Sequence, residues 1–323
     1  MRAFRLETTG GPAQLRDIAR PLPGPDQVRL RIMACGLNFA DLLMINGKYQ
    51  ERPALPFTMG MELAGVVEAL GAKVTGLALG SRVAVFAGTG GLADWGCFDA
   101  RACTPIPEAM RFDEAAAFQI AYGTSHLALA HRARLQPGET LLVMGAAGGV
   151  GLTAVEIGKR MGARVIATAR GSEKLQIAKA AGADHLIDSD APDLRAELKA
   201  LGGVDVVYDA VGGPNFMEAL RATKPEGRLI PIGFAGGEVP QIPANLLLVK
   251  NLTVIGLYWG GYLNFAPEIL ARSMATLFDW YKSGGLRPHI SHSLPLERAQ
   301  EALDLLRARK STGKIVVSMS HEA

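Results

Sequence analysis

Cysteine is scarce in this chain of 323 residues, which has only three, Cys35, Cys97 and Cys103. An odd count with no CxxC spacing supplies neither a disulfide framework nor a tetrahedral zinc site, and it points to a reducing compartment. Long apolar runs are missing too. No segment approaches the roughly 20 uninterrupted apolar residues that cross a bilayer, so no membrane span is expected. The opening segment MRAFRLETTGGPAQL lacks an apolar core and reads as a strand and a turn, which makes the cytoplasm the expected location. Charge of one sign is also in short supply, since 34 basic against 31 acidic residues leave a net +3. The basic residues are scattered, so no nucleic-acid groove is expected.

Glycine is plentiful, with 38 residues and no G-X-Y period, which implies tight turns and close backbone approaches. The length suits about two domains, each with its own core. In the first third, short β-type runs at 27–34 (QVRLRIMA), 62–69 (ELAGVVEA) and 81–86 (SRVAVF) alternate with Gly/Pro punctuation. That texture predicts a compact, mostly antiparallel barrel.

From about Phe112 to Gly260 the pattern changes to apolar strands alternating with helix-length stretches, the mark of a parallel α/β sheet. Strands are predicted at 140–144, 164–168, 185–187, 204–208, 228–232 and 252–255, with helices at 150–161, 173–181, 193–201 and 215–223. Helices at 265–282 and 296–308 and a strand at 314–317 then return to the first domain. The expected division is 1–122 completed by 262–323, with 123–261 as the nucleotide-binding domain.

The run Gly145-Ala146-Ala147-Gly148-Gly149-Val150-Gly151 closes a strand and opens a helix. Against the G-x-G-x-x-G fingerprint, Ala146, Gly148 and Gly151 take the three special positions, with alanine replacing the usual first glycine. Gly148 lets the backbone approach a pyrophosphate, Gly151 lets the helix pack on its strand, and the helix N-terminus faces the phosphates. Ala147, Gly148, Gly149 and Val150 are therefore cofactor candidates. About 20 residues later, a site for the 2′-hydroxyl of NAD would place a carboxylate. Here the sequence reads Thr168-Ala169-Arg170-Gly171-Ser172, with Lys174 one turn on. Ala169 stands where the acid would be, while Arg170 and Lys174 can pair with a 2′-phosphate. NADPH is the expected cofactor.

Several segments together resemble one family. They are Cys35-Gly36-Leu37-Asn38-Phe39-Ala40-Asp41, Gly47-Lys48-Tyr49, Gly60-Met61-Glu62, the glycine turn, Ala180-Ala181-Gly182-Ala183-Asp184, Asp209-Ala210-Val211-Gly212-Gly213 and Pro288-His289. They resemble the medium-chain dehydrogenase/reductase superfamily and, within it, the NADPH:quinone oxidoreductase (zeta-crystallin-like) branch. The resemblance implies a GroES-like β-rich catalytic domain plus a Rossmann domain with a doubly wound parallel sheet, and an active cleft between them. In the zinc-dependent relatives a cysteine stands at the place of Asn38 and a histidine at that of Met61. Amide and thioether are poor zinc ligands, so no metal is expected.

The resemblance leaves Asn38 and Tyr49 as the polar catalytic candidates. Asn38 is expected to orient either the nicotinamide ribose or a substrate oxygen. Tyr49 either donates to that oxygen and helps deliver a proton, or merely shapes the pocket rim. Asp41 is read as the anchor of the Asn38 loop, and Glu62 as a structural partner. Thr124, Val211, Gly212, Gly233, Phe234, Leu257, Tyr258 and Lys314 carry over as cofactor contacts. Asp188-Ser189 departs from the Asn-Tyr of many relatives, which removes an adenine-side tyrosine.

Without a Lewis acid, an alkoxide is hard to stabilise, and electrophiles that delocalise the incoming charge suit the site better. A quinone leads; an enone or enoyl thioester is the alternative substrate. A further alternative is an NADPH-binding structural or regulatory protein with little turnover. The resemblance to the branch also implies a homodimer, formed by edge pairing of the strand near 252–255.

Overall fold

A computed structural model describes residues 1–321, which fall into two compact units, 1–120 with 288–321, and 121–287. The first unit opens with β1 (Arg2–Leu6), β2 (Ala13–Asp17), β3 (Gln27–Gly36), β4 (Phe57–Thr58), β5 (Glu62–Leu70), β6 (Arg82–Phe86), β7 (Trp95–Asp99) and β8 (Cys103–Pro105). The second contains β9 (Thr140–Met144), β10 (Arg164–Ala169), β11 (His185–Asp188), β12 (Val204–Asp209), β13 (Thr223–Pro231) and β14 (Thr253–Val254). The chain then returns to the first unit with β15 (Ile290–Pro295) and β16 (Lys314–Ser318).

The first unit is β-rich, as its turn-punctuated sequence predicts. Its main sheet runs β15-β16-β3-β5-β6-β8, with β7 also paired to β3, and β2-β1-β4 form a smaller sheet. Along β3, Val28, Leu30 and Ile32 are fully buried while Arg29 and Arg31 between them are not. That period of two turns one face of the strand to the core. By register, Gly36 of β3 lies opposite both Glu62 at the start of β5 and Val316 of β16. Three strand ends, far apart in sequence, therefore meet at one place.

The second unit is an all-parallel sheet in the order β11-β10-β9-β12-β13-β14. Counted from its first strand this is 3-2-1-4-5-6, the Rossmann order. Every residue of β9 is buried, as a central strand covered on both faces requires. The chain leaves β9 in one direction and resumes beside it at β12, so the topological switch point lies between these strands. Ligands bind outside the carboxyl ends of such strands.

Two boundaries differ from the sequence expectation. Residues 262–287 belong with the second unit, so the return comes at Pro288. The long helix Pro267–Lys282 packs there: Ser273 hydrogen-bonds His126 at 2.7 Å, and Trp280 lies edge-on to His126 and under the Arg160 guanidinium. That helix also starts afresh at Pro267, whose fixed φ suits a first helical position, after the short turn Tyr262–Phe265.

Candidate functional site

In the second unit, β9 ends at Met144 and the chain turns sharply at Gly145, whose φ of 75° is left-handed. The tight-turn glycine is thus Gly145, and the buried Ala146 that follows needs no special backbone. The N–H groups of both residues donate to the Thr168 carbonyl, fastening the turn to β10. A Cβ on Gly151 would meet the Gly145 carbonyl oxygen at 2.1 Å, so glycine there is dictated by close packing of the helix Gly149–Arg160. At Gly148 the situation is reversed. A Cβ there would meet nothing of the chain closer than 3.4 Å, so its absence leaves room for something other than protein.

The adjoining strand end is shaped by Asp209, the last residue of β12. Its buried carboxylate accepts the N–H of Val211 at 2.8 Å and of Gly212 at 3.0 Å. Burial raises its carboxyl pKa, and the two backbone donors oppose that rise. The Asp209 carbonyl also accepts the Gly233 N–H, joining the end of β12 to the loop after β13. Val211 lies against Gly145, and Phe234 against Gly212. Gly145–Val150, Val211, Gly212, Gly233 and Phe234 are thereby gathered at the carboxyl end of the sheet, as the sequence predicts. Asp209 itself escaped that reading, although a carboxylate shortly before a glycine pair is an Asx-turn signal.

Ala169 ends β10 and is buried, and Arg170 beyond it is largely exposed. The Arg170 guanidinium pairs with Asp190 at 3.1 Å, an exposed ion pair of small worth that a stronger anion can displace. Lys174 lies in the first turn of the following helix, Ser172–Ala180. Asp188, next to Ala169 on β11, has its carboxylate committed to the N–H groups of Gly171 and Asp190. Thr124 is buried in the helix Gln119–His126, whose Ser125 donates to the Val150 carbonyl at 2.8 Å. Leu257 and Tyr258 are more open, while the adjacent Trp259 packs against Gly123.

In the first unit, the meeting of β3, β5 and β16 creates a buried polar cluster. Gly36 is obligatory there, since a Cβ would stand 2.1 Å from the Ala116 carbonyl oxygen. Leu37 then donates its N–H to Ile315 of β16, which sets Asn38 beside Lys314. The Lys314 ammonium donates to Asn38 Oδ1 at 2.7 Å and to Glu62 Oε1 at 2.7 Å. Asn38 Nδ2 donates to the same Glu62 oxygen at 2.9 Å and to the Gly36 carbonyl at 3.4 Å. The second carboxylate oxygen accepts the Ile120 N–H at 3.0 Å.

Lys314 is 5% exposed and Glu62 1%, so this is a desolvated ion pair whose remaining hydrogen bonds are nearly complete. Asp41, also buried, accepts the Asn38 N–H at 2.8 Å from the first turn of the helix Phe39–Ile45. Burial raises the Asp41 carboxyl to about 7. Cys35 is buried and its thiol pKa is pushed well up, first by burial, which leaves it inert as a nucleophile. Tyr49 is half-buried and follows the C-terminal end of the helix Phe39–Ile45, after the chain turns at Gly47.

Comparison with known proteins agrees with both units. Residues 24–108 match the "Alcohol dehydrogenase GroES-like domain" model and residues 149–276 the "Zinc-binding dehydrogenase" model. A "Quinone oxidoreductase-like protein 2 homolog" of Nematostella vectensis is 43% identical over 91% of this chain and 82% of its own. A Thermus thermophilus quinone oxidoreductase, solved also in complex with NADPH, is 36% identical over 98% of this chain and all of its own (100%), with a TM-score of 0.88. The Escherichia coli quinone oxidoreductase complexed with NADPH is 28% identical over 98% of this chain and 99% of its own, with a TM-score of 0.89. With its GroES-like unit and Rossmann strand order, the chain belongs to the quinone oxidoreductase branch of the medium-chain dehydrogenase/reductase superfamily and is an oxidoreductase.

Proposed function

We propose that the protein reduces quinones with hydride from NADPH and without a metal. The observation that carries the cofactor assignment is Gly148: it stands at a helix N-terminus, at the switch point of the sheet, with a Cβ-sized space that no atom of the chain fills. The first-turn N–H groups have no intrahelical partner and suit the pyrophosphate, with Ala147, Gly148, Gly149 and Val150 as its cradle. Arg170 and Lys174 would take the 2′-phosphate. Thr124, Val211, Gly212, Gly233, Phe234, Leu257 and Tyr258 would hold the nicotinamide half. When bound, NADPH supplies the hydride.

Zinc does not fit the residues present, although one matching domain model is named for it. Glu62 is already neutralised by the Lys314 ammonium, Asn38 Oδ1 is engaged by the same cation, and a dication would have to displace both contacts against charge repulsion. Stoichiometric zinc in the purified protein by elemental analysis would overturn this part of the reading. A quinone suits such a site because it delocalises the charge that hydride brings. In this reading Asn38 and Tyr49 belong to the catalytic groups. Tyr49→Phe is expected to lower kcat/KM for a small quinone, and an unchanged value would assign Tyr49 to the pocket rim.

Steady-state oxidation of NADPH with 1,4-benzoquinone tests the whole assignment: quinone-dependent turnover supports it, and turnover with enones alone would replace it with an enone reductase. NADPH is expected to bind more tightly than NADH, and the Arg170→Ala, Lys174→Ala double variant to narrow the gap. Equal affinities in the parent would sink the phosphate assignment. The reading includes a cytoplasmic homodimer. Its support is three unpaired cysteines among the described residues, and β14 as the sheet's edge beside the exposed Leu248 and Val249. A monomeric mass by light scattering would remove the dimer.

A further inference from the structure

We infer that Lys314 is a positioning residue whose ammonium, paired with Glu62, fixes which way the Asn38 amide faces. This rests on the reading of Asn38 as a catalytic or cofactor contact. An amide has an acceptor end and a donor end, and only its hydrogen-bond network decides their directions. Here the network has one solution. Lys314 can only donate, so it requires the Asn38 oxygen at 2.7 Å. Glu62 accepts at 2.9 Å and the Gly36 carbonyl accepts at 3.4 Å, so together they require the Asn38 nitrogen. Turning the amide over would set its NH2 against the ammonium and its oxygen against a carboxylate. Both amide hydrogens are thus committed inside the first unit, and the group that remains for a ligand is a lone pair on Oδ1. The held Asn38 is an acceptor, suited to a ligand hydroxyl rather than a carbonyl oxygen. The ammonium itself donates to only two described partners and keeps a third N–H.

A residue that merely balanced the Glu62 charge would do none of this, and the two roles separate experimentally. The variants are Lys314→Met, Glu62→Gln and the pair combined. The single Lys314→Met strands a buried carboxylate and is expected to lose both thermal stability and activity. In the combined variant no charge remains to strand, so stability should return towards the parent. The neutral amide that Glu62→Gln introduces can donate to Asn38, however, which allows the Asn38 amide to turn over. The expected result is a thermal midpoint close to the parent with kcat/KM for 1,4-benzoquinone still down about tenfold or more, as small misplacements of catalytic groups produce. Recovery of both stability and kcat/KM in the combined variant would overturn the positioning role and leave Lys314 a counter-charge.

A second readout does not depend on turnover. If the parent reduces no quinone, the activity reading fails by itself. Fluorescence titration with NADPH then decides the role of Lys314: weaker binding by the combined variant supports it, and parental affinity overturns it.

Discussion

Glu62 and Glu156 are two glutamates drawn out of water in two different ways. Glu62 begins β5 and meets an ammonium, an amide and a backbone N–H, each within 3.0 Å. Glu156, on the glycine-turn helix, has no cationic side chain in hydrogen-bond contact among the described residues. Its carboxylate accepts the Tyr122 hydroxyl at 2.5 Å and the Arg287 backbone N–H at 3.2 Å. Burial, the largest influence, raises the Glu156 carboxyl from 4.5 to about 7, and those two donors and the charge of Arg287 oppose the rise. The contrast teaches that a desolvated carboxylate is made tolerable either by a fixed opposite charge or by taking up a proton. The first solution ties the carboxylate to a cation and can orient a neighbour. The second makes the framework sensitive to pH.

Breaking the charged pair is expected to have the largest effect. Lys314→Met should cost about 3–5 kcal/mol in urea unfolding at neutral pH, the usual result of stranding one partner of a buried pair. A loss below about 1 kcal/mol, the range of exposed pairs, would place Glu62 in contact with water and remove the contrast.

Glu156→Gln should act in the opposite sense. The raised carboxyl favours the neutral form in the folded state, so its contribution is fully present below pH 4.5 and is lost as pH rises through about 7. The amide cannot ionise, so the variant should gain stability over the parent at pH 8 and little at pH 5. The gain is bounded by about 3 kcal/mol, since each tenfold change in proton affinity is worth about 1.4 kcal/mol. Equal differences at both pH values would show that Glu156 does not titrate in this range.

Tyr122→Phe sharpens the same comparison at a smaller scale. The phenol stabilises the carboxylate form, so its loss should cost about 1–2 kcal/mol at pH 8 and less at pH 5. A cost independent of pH would mean that the ring matters only as packing.

Sequence patterns carried most of the framework, because period and punctuation are local properties. The strand at Thr140–Met144 was legible to the residue, and the helices after it to within one residue at either end. β15 was not foreseen: ISHSLP alternates too weakly for a strand, and it is held by its parallel pairing with β16. The glycine turn was legible in its spacing, with Ala146, Gly148 and Gly151 at the fingerprint positions. The sharp turn just before them, at Gly145, is a matter of backbone conformation that spacing does not show. Asn38, Glu62 and Lys314 were each singled out, yet their mutual contact was not. Nothing in a linear spacing of hundreds of residues announces that three strand ends share a register.

That shared register has a consequence for how the first unit becomes competent. Lys314 lies 276 residues after Asn38 and 252 after Glu62, so the last strand closes a contact with a point near the start of the chain. Loop-closure entropy grows only logarithmically with such lengths, so the span itself is a modest burden. What the span imposes is order. Until β16 inserts between β15 and β3, Glu62 has no cation and the Asn38 Oδ1 lacks the donor that holds it. A chain stopped short of residue 314 could build the sheet around β3 and β5 and still lack the cation that neutralises Glu62 and holds the Asn38 oxygen.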